Sequence, residues 1–322
     1  MTEEKALTDI DPIILFFLLG LAAGLLRSEL RLPSAVYDLI SMVLLLAIGL
    51  KGGVELAQQP FGYLLPQILA VIGMGFLLPL IAFPVLRHLG GFRRADAASI
   101  AAHYGSVSVA TYAVATAWFA SREIEFEAHM PLLLVVLEIP AILIGILMAR
   151  GLSRDVPLAT VGREVFLGKG IVLLVGGLLI GWVAGPGGVA SIEPLFFDLF
   201  KGILALFLLE MGLITAAHFG GLRRYGVFLV LFGIGMPLFS ALIGTAFGLL
   251  LGLSVGGTAI LATLAASASY IAVPAAMRIS VPEANPALSL AAALGVTFPF
   301  NVLVGIPLYH ALASWTHRIL GG

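Results

Sequence analysis

The sequence contains no cysteine, which excludes disulfides, iron–sulfur clusters and thiolate metal sites. Charged residues are scarce too, at 11% of the chain, against about a quarter in an ordinary soluble domain. The formal net charge of −1 gives no reason to expect nucleic acid or another polyanion as partner. Apolar residues instead make up 60% of the 322 positions. This composition predicts an all-α protein embedded in a membrane.

The short motifs that mark common enzymes are also missing. The chain has no GxSxG turn, no HExxH zinc motif, no Walker loop and no GxGxxG fingerprint between a strand and a helix. The sequence offers no paired aspartates or His–Glu set for an intramembrane protease. We therefore expect a protein that is not an enzyme and holds no cofactor.

Long apolar runs predict ten membrane-spanning helices, because about 20 apolar residues cross the hydrocarbon core. The predicted spans are residues 13–27, 33–51, 61–87, 95–120, 129–150, 169–185, 196–216, 224–251, 256–277 and 286–314. With ten spans both termini lie on one side. The loops on the opposite side hold twelve Lys and Arg, and the side of the termini holds five. The excess marks the first side as cytoplasmic, so both termini are expected to be periplasmic, in a bacterial inner membrane.

Two halves of the chain resemble each other. Residues 44–50 (LLLAIGL) match 207–213 (FLLEMGL), and the IGM at 72–74 matches that at 234–236. Pro140 and Pro299 fall at similar places in the last span of each half. We interpret residues 1–150 and 169–322 as repeats of five helices, joined by a cytoplasmic linker at 151–168. Because five is odd, the repeats are inverted, as in many secondary transporters.

The fourth and ninth spans occupy equivalent positions and both are predicted to be broken, the ninth at Pro274. A break in the membrane leaves backbone groups that protein, water or a ligand must satisfy. Free N–H groups at a helix N-terminus suit an anion, and carbonyls at a C-terminus suit Na⁺. Hydroxyl groups that could complete the ion sites belong to Ser106, Ser108, Thr111, Ser267 and Ser269. Alternatively, these small residues only allow close helix packing.

Polar residues within the spans are costly and are candidates for function. Glu138 could ligate a cation, carry a proton, or be a buried carboxylate bonded to a neighbouring helix. Glu210 is expected to be structural. His103 could titrate, bind ligand or only pack, and Asn301 is expected to bond across helices.

At the two broken spans the sequence resembles the sodium-dependent bicarbonate transporters of the SbtA type. The resemblance lies in GSVSVAT at 105–111, EIP at 138–140, and AASASYIAVPAAMRISVPEANP at 265–286. It implies crossed broken helices 4 and 9, a core and a gate domain, a homotrimer, and Na⁺-coupled uptake of bicarbonate. The implied binding residues are Gly105, Ser106, Val107, Ser108, Thr111, Ser267, Ser269, Tyr270, Ile271 and Glu138. Among them, Na⁺ would be bound by Ser108, Thr111, Ser269 and Glu138.

Two features depart from that family's pattern. Cyanobacterial members carry an Asp where this chain has Tyr270, so the Na⁺ stoichiometry does not carry over. The linker at 151–168 is short, which leaves control by a PII-like partner open. Alternatives are a Na⁺/H⁺ or organic-anion carrier on the same scaffold, and a membrane scaffold or sensor that transports nothing. An intramembrane enzyme is the least favoured reading.

Overall fold

The computed structural model describes residues 11–57, 61–151, 163 and 166–320, and within these ranges the chain is helical and contains no strand. Among the described residues, seven helical segments are long and apolar enough to cross a bilayer, by length and composition. They are Ser34–Leu56, Leu64–Leu89, Met130–Arg150, Lys169–Ile192, Phe200–Phe219, Gly226–Leu250 and Pro286–Leu320. The chain is therefore an all-helical, multi-pass membrane protein.

The first half of the chain forms six helices. They are α1 (Pro12–Leu25), α2 (Ser34–Leu56), α3 (Phe61–Pro84, continued by a π-helical turn at Val85–Leu89), α4 (Arg94–Gly105), α5 (Val109–Ala120) and α6 (Met130–Arg150). Polar side chains begin two of them, because the first N–H groups of a helix need acceptors. Asp11 accepts a hydrogen bond from the Ile13 N–H, and Ser108 accepts one from the Thr111 N–H.

The second half follows a similar order. It comprises α7 (Lys169–Val189), α8 (Phe200–Leu250), α9 (Val255–Ala265), α10 (Ala272–Ser280), α11 (Pro286–Ala292), α12 (Phe298–Phe300) and α13 (Ile306–Leu320). Two π-helical turns, Ala293–Thr297 and Asn301–Gly305, join the last three into one long rod. α8 is interrupted at Gly226, whose φ of 84° and ψ of 166° strongly favour glycine.

The structure contains a counterpart for each predicted span, but only seven counterparts are long enough to cross. α1 has 14 residues. The fourth predicted span is divided into α4 and α5, and the ninth into α9 and α10. The number ten therefore stays a prediction, as do the inverted orientation of the halves and the position of both termini. Most of the linker lies outside the described residues.

Glycines bring two helix pairs into close contact, as is common for helices in lipid. α1 packs on α8 at Gly20, where a Cβ atom would lie 1.9 Å from the Leu209 carbonyl oxygen. α2 packs on α7 at Gly49, where a Cβ would lie 2.4 Å from the Leu174 carbonyl oxygen. In each pair a helix from one half packs against a helix from the other. The halves are thus interlocked, and the broken helices lie in the rest of the fold.

Candidate functional site

Both broken helices are interrupted at polar, extended segments. α4 ends at Gly105, and Ser106 and Ser108 have extended backbone conformations before α5 begins. α9 ends at Ala265, and residues 266–271 separate it from α10. Pro274 lies in the first turn of α10, so the second break directly precedes the proline that sequence analysis held responsible. A proline disfavours helical conformation in the residue before it and lacks an N–H, which favours a helix start there.

The two breaks contact each other through two hydrogen bonds, each donated by a backbone N–H group. The Ser108 N–H donates to the Ser267 hydroxyl oxygen over 2.9 Å. The Ser269 N–H donates to the His103 carbonyl oxygen, also over 2.9 Å. Each break therefore satisfies a backbone group of the other. This contact brings residues separated by about half of the chain into one polar centre.

Several of the predicted hydroxyls are used to cap helix ends at this centre. The Ser108 hydroxyl accepts from the Thr111 N–H at 3.1 Å, and the Ser267 hydroxyl donates to the Leu264 carbonyl at 2.8 Å. The Asn301 amide donates to the Ala266 carbonyl at 2.9 Å, which confirms its predicted role as a bond between helices. Several polar side chains at the breaks thus stabilise the backbone conformation of the two broken segments.

Other polar atoms at the breaks have no partner. The hydroxyl oxygens of Ser106 and Thr111 and the Nε2 atom of His103 are buried without a hydrogen bond in the described part of the chain. Each of the three residues is 1% exposed. Buried polar groups are normally paired, so these three atoms leave hydrogen-bonding capacity that an ion or a water molecule could use.

His103 and Glu138 flank the first break. The Nδ1 atom of His103 bonds to the Ser99 carbonyl at 2.7 Å, one turn earlier in α4. Ala141 of α6 lies beside Gly105, so helical register places Glu138, one turn before Ala141, at the level of the break. Glu138 is 5% exposed and finds no hydrogen-bond partner among the described residues. A bond from Glu138 to a neighbouring helix, one of the predicted alternatives, is absent there.

Tyr270 lies between the first break and α8. Its hydroxyl bonds to the Ser108 side chain and lies 3.9 Å from the sulfur of Met211 on α8. The hydroxyl of Tyr37 on α2 lies 4.0 Å from the same sulfur. Sequence analysis did not single out Tyr37 or Met211, and no motif marks them. They are found only because α2 and α8 pack against the second break.

The remaining predicted residues have mixed positions. Gly105 lies against Pro79, where a Cβ atom would come 2.1 Å from the proline ring, and Val107 is 2% exposed. The side chain of Ile271 is 44% exposed, so only its backbone is available to the centre. Glu210 accepts a hydrogen bond from the Leu32 backbone, as suits the structural role predicted for it.

A cavity of about 660 Å³ reaches towards the first break from one end of the molecule. Its inner wall includes Tyr112 and Thr116 of α5, and Lys51 and Glu55 of α2 lie along it. Tyr112 directly follows Thr111 in α5, so the cavity wall comes within one residue of the unpaired Thr111 hydroxyl along the chain, although no described residue of either break lines it. Tyr37, which contacts Met211 as Tyr270 does, lies near the first residues of α2, whereas the cavity is lined by residues near the last turns of α2.

The model of the Na⁺-dependent bicarbonate transporter superfamily matches residues 12–314, which include every helix from α1 to most of α13 and both breaks. No curated protein sequence matches the chain. Because the family model covers nearly the whole sequence, the chain belongs to the Na⁺-dependent bicarbonate transporter superfamily.

Proposed function

We propose that this protein imports bicarbonate together with Na⁺ by alternating access. The observation that carries the proposal is the contact between the two breaks, in which Ser108 and Ser269 each donate a backbone hydrogen bond to the other segment. Such a contact collects four helix ends in one buried polar centre. Helix ends carry the partial charges that oppositely charged ions need, without a fixed side-chain charge.

The anion binds at the N-terminal end of α10. Ile271 precedes this helix and provides no side-chain cap, so the first N–H groups of the helix have no acceptor from a capping residue. The Ser269 and Tyr270 hydroxyls are close to this end along the chain. Free N–H groups together with the positive end of the helix dipole suit a small oxyanion such as bicarbonate.

Na⁺ binds at the first break, where the C-terminal end of α4 points carbonyl groups at the gap. Hard cations prefer oxygen ligands, and the unpaired hydroxyls of Ser106 and Thr111 supply two of them. Glu138 adds a carboxylate at the same level. We add Ser106 to the predicted set of Ser108, Thr111, Ser269 and Glu138, because its hydroxyl is unpaired. The Ser108 oxygen, in contrast, already accepts a hydrogen bond as a helix cap.

Simultaneous binding of the two ions solves an energetic problem. Moving one anion into a cell against an inside-negative potential costs about 2.3 kcal/mol per 100 mV. One accompanying Na⁺ cancels that cost, and its own gradient adds about 1.4 kcal/mol per tenfold difference in concentration. Adjacent sites for the two ions also lower the cost of burying either charge alone.

The asymmetry of the protein around the breaks supports alternating access. The 660 Å³ cavity extends from one end of the molecule towards the residues after the first break, and Tyr37 and Tyr270 contact Met211 near the other end of α2. The lysine and arginine distribution assigns the open side to the periplasm. A movement of α2 and of the part of α8 before Gly226, relative to the broken helices, opens the closed side. The glycine-packed pairs α1–α8 and α2–α7 are suited to move as units.

The same proposal includes ten spans in two inverted repeats and assembly as a homotrimer. Each half contributes one partner to each glycine-packed pair, which is the exchange that a two-fold axis in the membrane produces. Cross-linking in native membranes would test the trimer. Control by a PII-like protein is a further expectation, tested by co-purification with such a protein.

Flux in liposomes tests the function. Purified protein in sealed liposomes should take up labelled bicarbonate when Na⁺ is placed outside, and much less when choline replaces it. Ser106→Ala and Ser269→Ala should reduce the uptake, whereas Ser191→Ala, at an exposed position after α7, should not. Equal uptake in Na⁺ and choline would refute the coupling. Wild-type uptake by both Ser106→Ala and Ser269→Ala would remove these hydroxyls from the site.

A carrier that exchanges Na⁺ for protons is the second candidate. The observation that favours it is the pair of unpaired groups, the Glu138 carboxylate and His103 Nε2, on the two helices at the first break. A Na⁺ pulse applied to liposomes with an internal pH dye distinguishes the two functions. Alkalinisation inside without any need for bicarbonate would favour exchange, and a Glu138→Gln variant should then lose it.

A further inference from the structure

Two carboxylates outside the ion site tie the broken helices together, one at each end of the crossing. We infer that Asp96 and Glu127 are positioning residues that hold α4–α5 and α9–α10 in register, so that the two breaks stay aligned. The inference goes beyond the proposed function because it concerns the helices that frame the site. No ion needs to contact either carboxylate.

Asp96 forms the clamp at one end. It lies in the first turn of α4, is 4% exposed, and its carboxylate accepts from the Asn285 N–H at 2.8 Å. Asn285 belongs to the loop that leaves α10, in the other half of the chain. Arg93 donates to the same carboxylate at 2.8 Å and also to the Glu283 carbonyl at 3.3 Å. The start of one broken helix is thus fixed to the end of the other.

Glu127 forms the clamp at the opposite end. It lies in the loop that leaves α5, and its carboxylate accepts from both the backbone N–H and the hydroxyl of Ser254, at 2.6 and 3.1 Å. Ser254 is the N-cap residue of α9. Again the end of one broken helix is fixed to the start of the other, by hydrogen bonds that a charge strengthens.

The two clamps place a carboxylate at the same point of each helix. Asp96 is the third residue of α4, and the third residue of α9 is Gly257. A Cβ atom at Gly257 would lie 1.6 Å from an oxygen of Glu127, so the Glu127 carboxylate occupies the space that a side chain there would take. One helix therefore carries its own acid and the other receives it from the opposite half. A carboxylate therefore lies at the first turn of both helices although it comes from different parts of the chain, which supports the same positioning role for Asp96 and Glu127.

A tie at each end of the crossing is needed because the contact between the two breaks is small. Each break satisfies only one backbone group of the other, so the crossing itself resists tilting weakly. A tie at each end fixes the angle between the helices. If α9 tilts, the Ser267 oxygen leaves the Ser108 N–H and the binding groups no longer converge. Released clamps should therefore weaken ion binding before they unfold the protein.

The test uses amide hydrogen exchange and transport on the full-length protein in liposomes. Glu127→Leu removes the acceptors at nearly constant size, Glu127→Gln keeps one oxygen for the Ser254 N–H, and Glu193→Leu is the control at an exposed acid with no hydrogen bond among the described residues. For Glu127→Leu we expect faster exchange confined to 254–269 and 103–111, and a KM for bicarbonate about tenfold higher, which corresponds to about 1.4 kcal/mol of lost binding. Glu127→Gln should lie between this variant and the wild type, and Glu193→Leu should equal the wild type.

Two results would overturn the inference. One is unchanged exchange at 254–269 in Glu127→Leu. The other is exchange that rises evenly over all helices with an unchanged KM, which is the behaviour of a residue that only stabilises the fold. If Glu127→Leu does not fold, hydrogen exchange and the KM for bicarbonate are measured on Asp96→Asn and Glu127→Gln instead, and the same two results would overturn the inference. If the wild type takes up no bicarbonate, the proposed function fails, and the exchange measurement still decides whether the clamps exist.

Discussion

The contact between the breaks makes a prediction that separates structural from transport roles. Ser267 and Ser106 are both serines, both 1% exposed, and lie in opposite breaks. The Ser267 hydroxyl accepts from the Ser108 N–H and donates to Leu264, whereas the Ser106 hydroxyl has no partner. The same chemical change, serine to alanine, should therefore have different effects at the two positions.

The structure gives the size of the effect. In Ser267→Ala the Ser108 N–H loses its acceptor inside the protein, and an unpaired buried donor costs about 1–3 kcal/mol. The loss at Leu264 adds little, because its carbonyl still accepts from the Ser267 N–H at 3.1 Å. We therefore expect the free energy of unfolding of Ser267→Ala to fall by about 2 kcal/mol. Ser106→Ala breaks no hydrogen bond among the described residues and removes an unpaired buried hydroxyl, so its free energy of unfolding should stay close to the wild-type value.

The assay compares thermal unfolding in detergent with Na⁺-driven bicarbonate uptake for both variants. Ser267→Ala should have a lower midpoint temperature than the wild type, and Ser106→Ala should match the wild type in choline. Ser106→Ala should also lose part of the stabilisation that Na⁺ gives, because a ligand stabilises only as much as it binds. Equal midpoints for wild type and Ser267→Ala would refute the reasoning about the breaks, as would a Ser106→Ala variant less stable than Ser267→Ala.

Three further predictions test the packing, the access path and the second break. Gly20→Leu should strongly reduce the yield of folded protein in an expression test, because even a Cβ atom would lie 1.9 Å from a backbone oxygen of α8. Gly73→Leu is the control and should be tolerated, because a Cβ atom there would meet no described atom within 4 Å. In the cysteine-free chain, Thr116→Cys in the cavity should react with a membrane-impermeant maleimide from outside and Tyr37→Cys should not; the reverse pattern would contradict the assigned open side. Tyr270→Asp adds a carboxylate beside the ion site, so the Hill coefficient for Na⁺ in uptake should rise, and an unchanged coefficient would exclude a second Na⁺ there.

Composition alone led to much of the fold, because the bilayer leaves few choices. A chain with 60% apolar and 11% charged residues in runs of about 20 must form helices that satisfy their own backbone groups. The two broken segments were also visible, since Pro274 and the small polar residues around Ser106 oppose a continuous helix. The helix bounds differ from the prediction in places. The interruption of α8 lies at Gly226, a few residues after the predicted loop between 216 and 224, and α13 extends to Leu320 rather than to 314.

The candidate site, like the fold, could be predicted from the sequence only in part. The sequence determined which residues interrupt helices and which polar groups lie in apolar surroundings, because both follow from local chemistry. Only the tertiary structure decided that Ser108 meets Ser267, that Ser106 stays unpaired, and that Glu127 reaches Ser254. Partners more than a hundred residues apart are selected by how whole helices cross and how closely glycines let them approach. That geometry depends on all the packed surfaces together, and no single segment of the chain contains it.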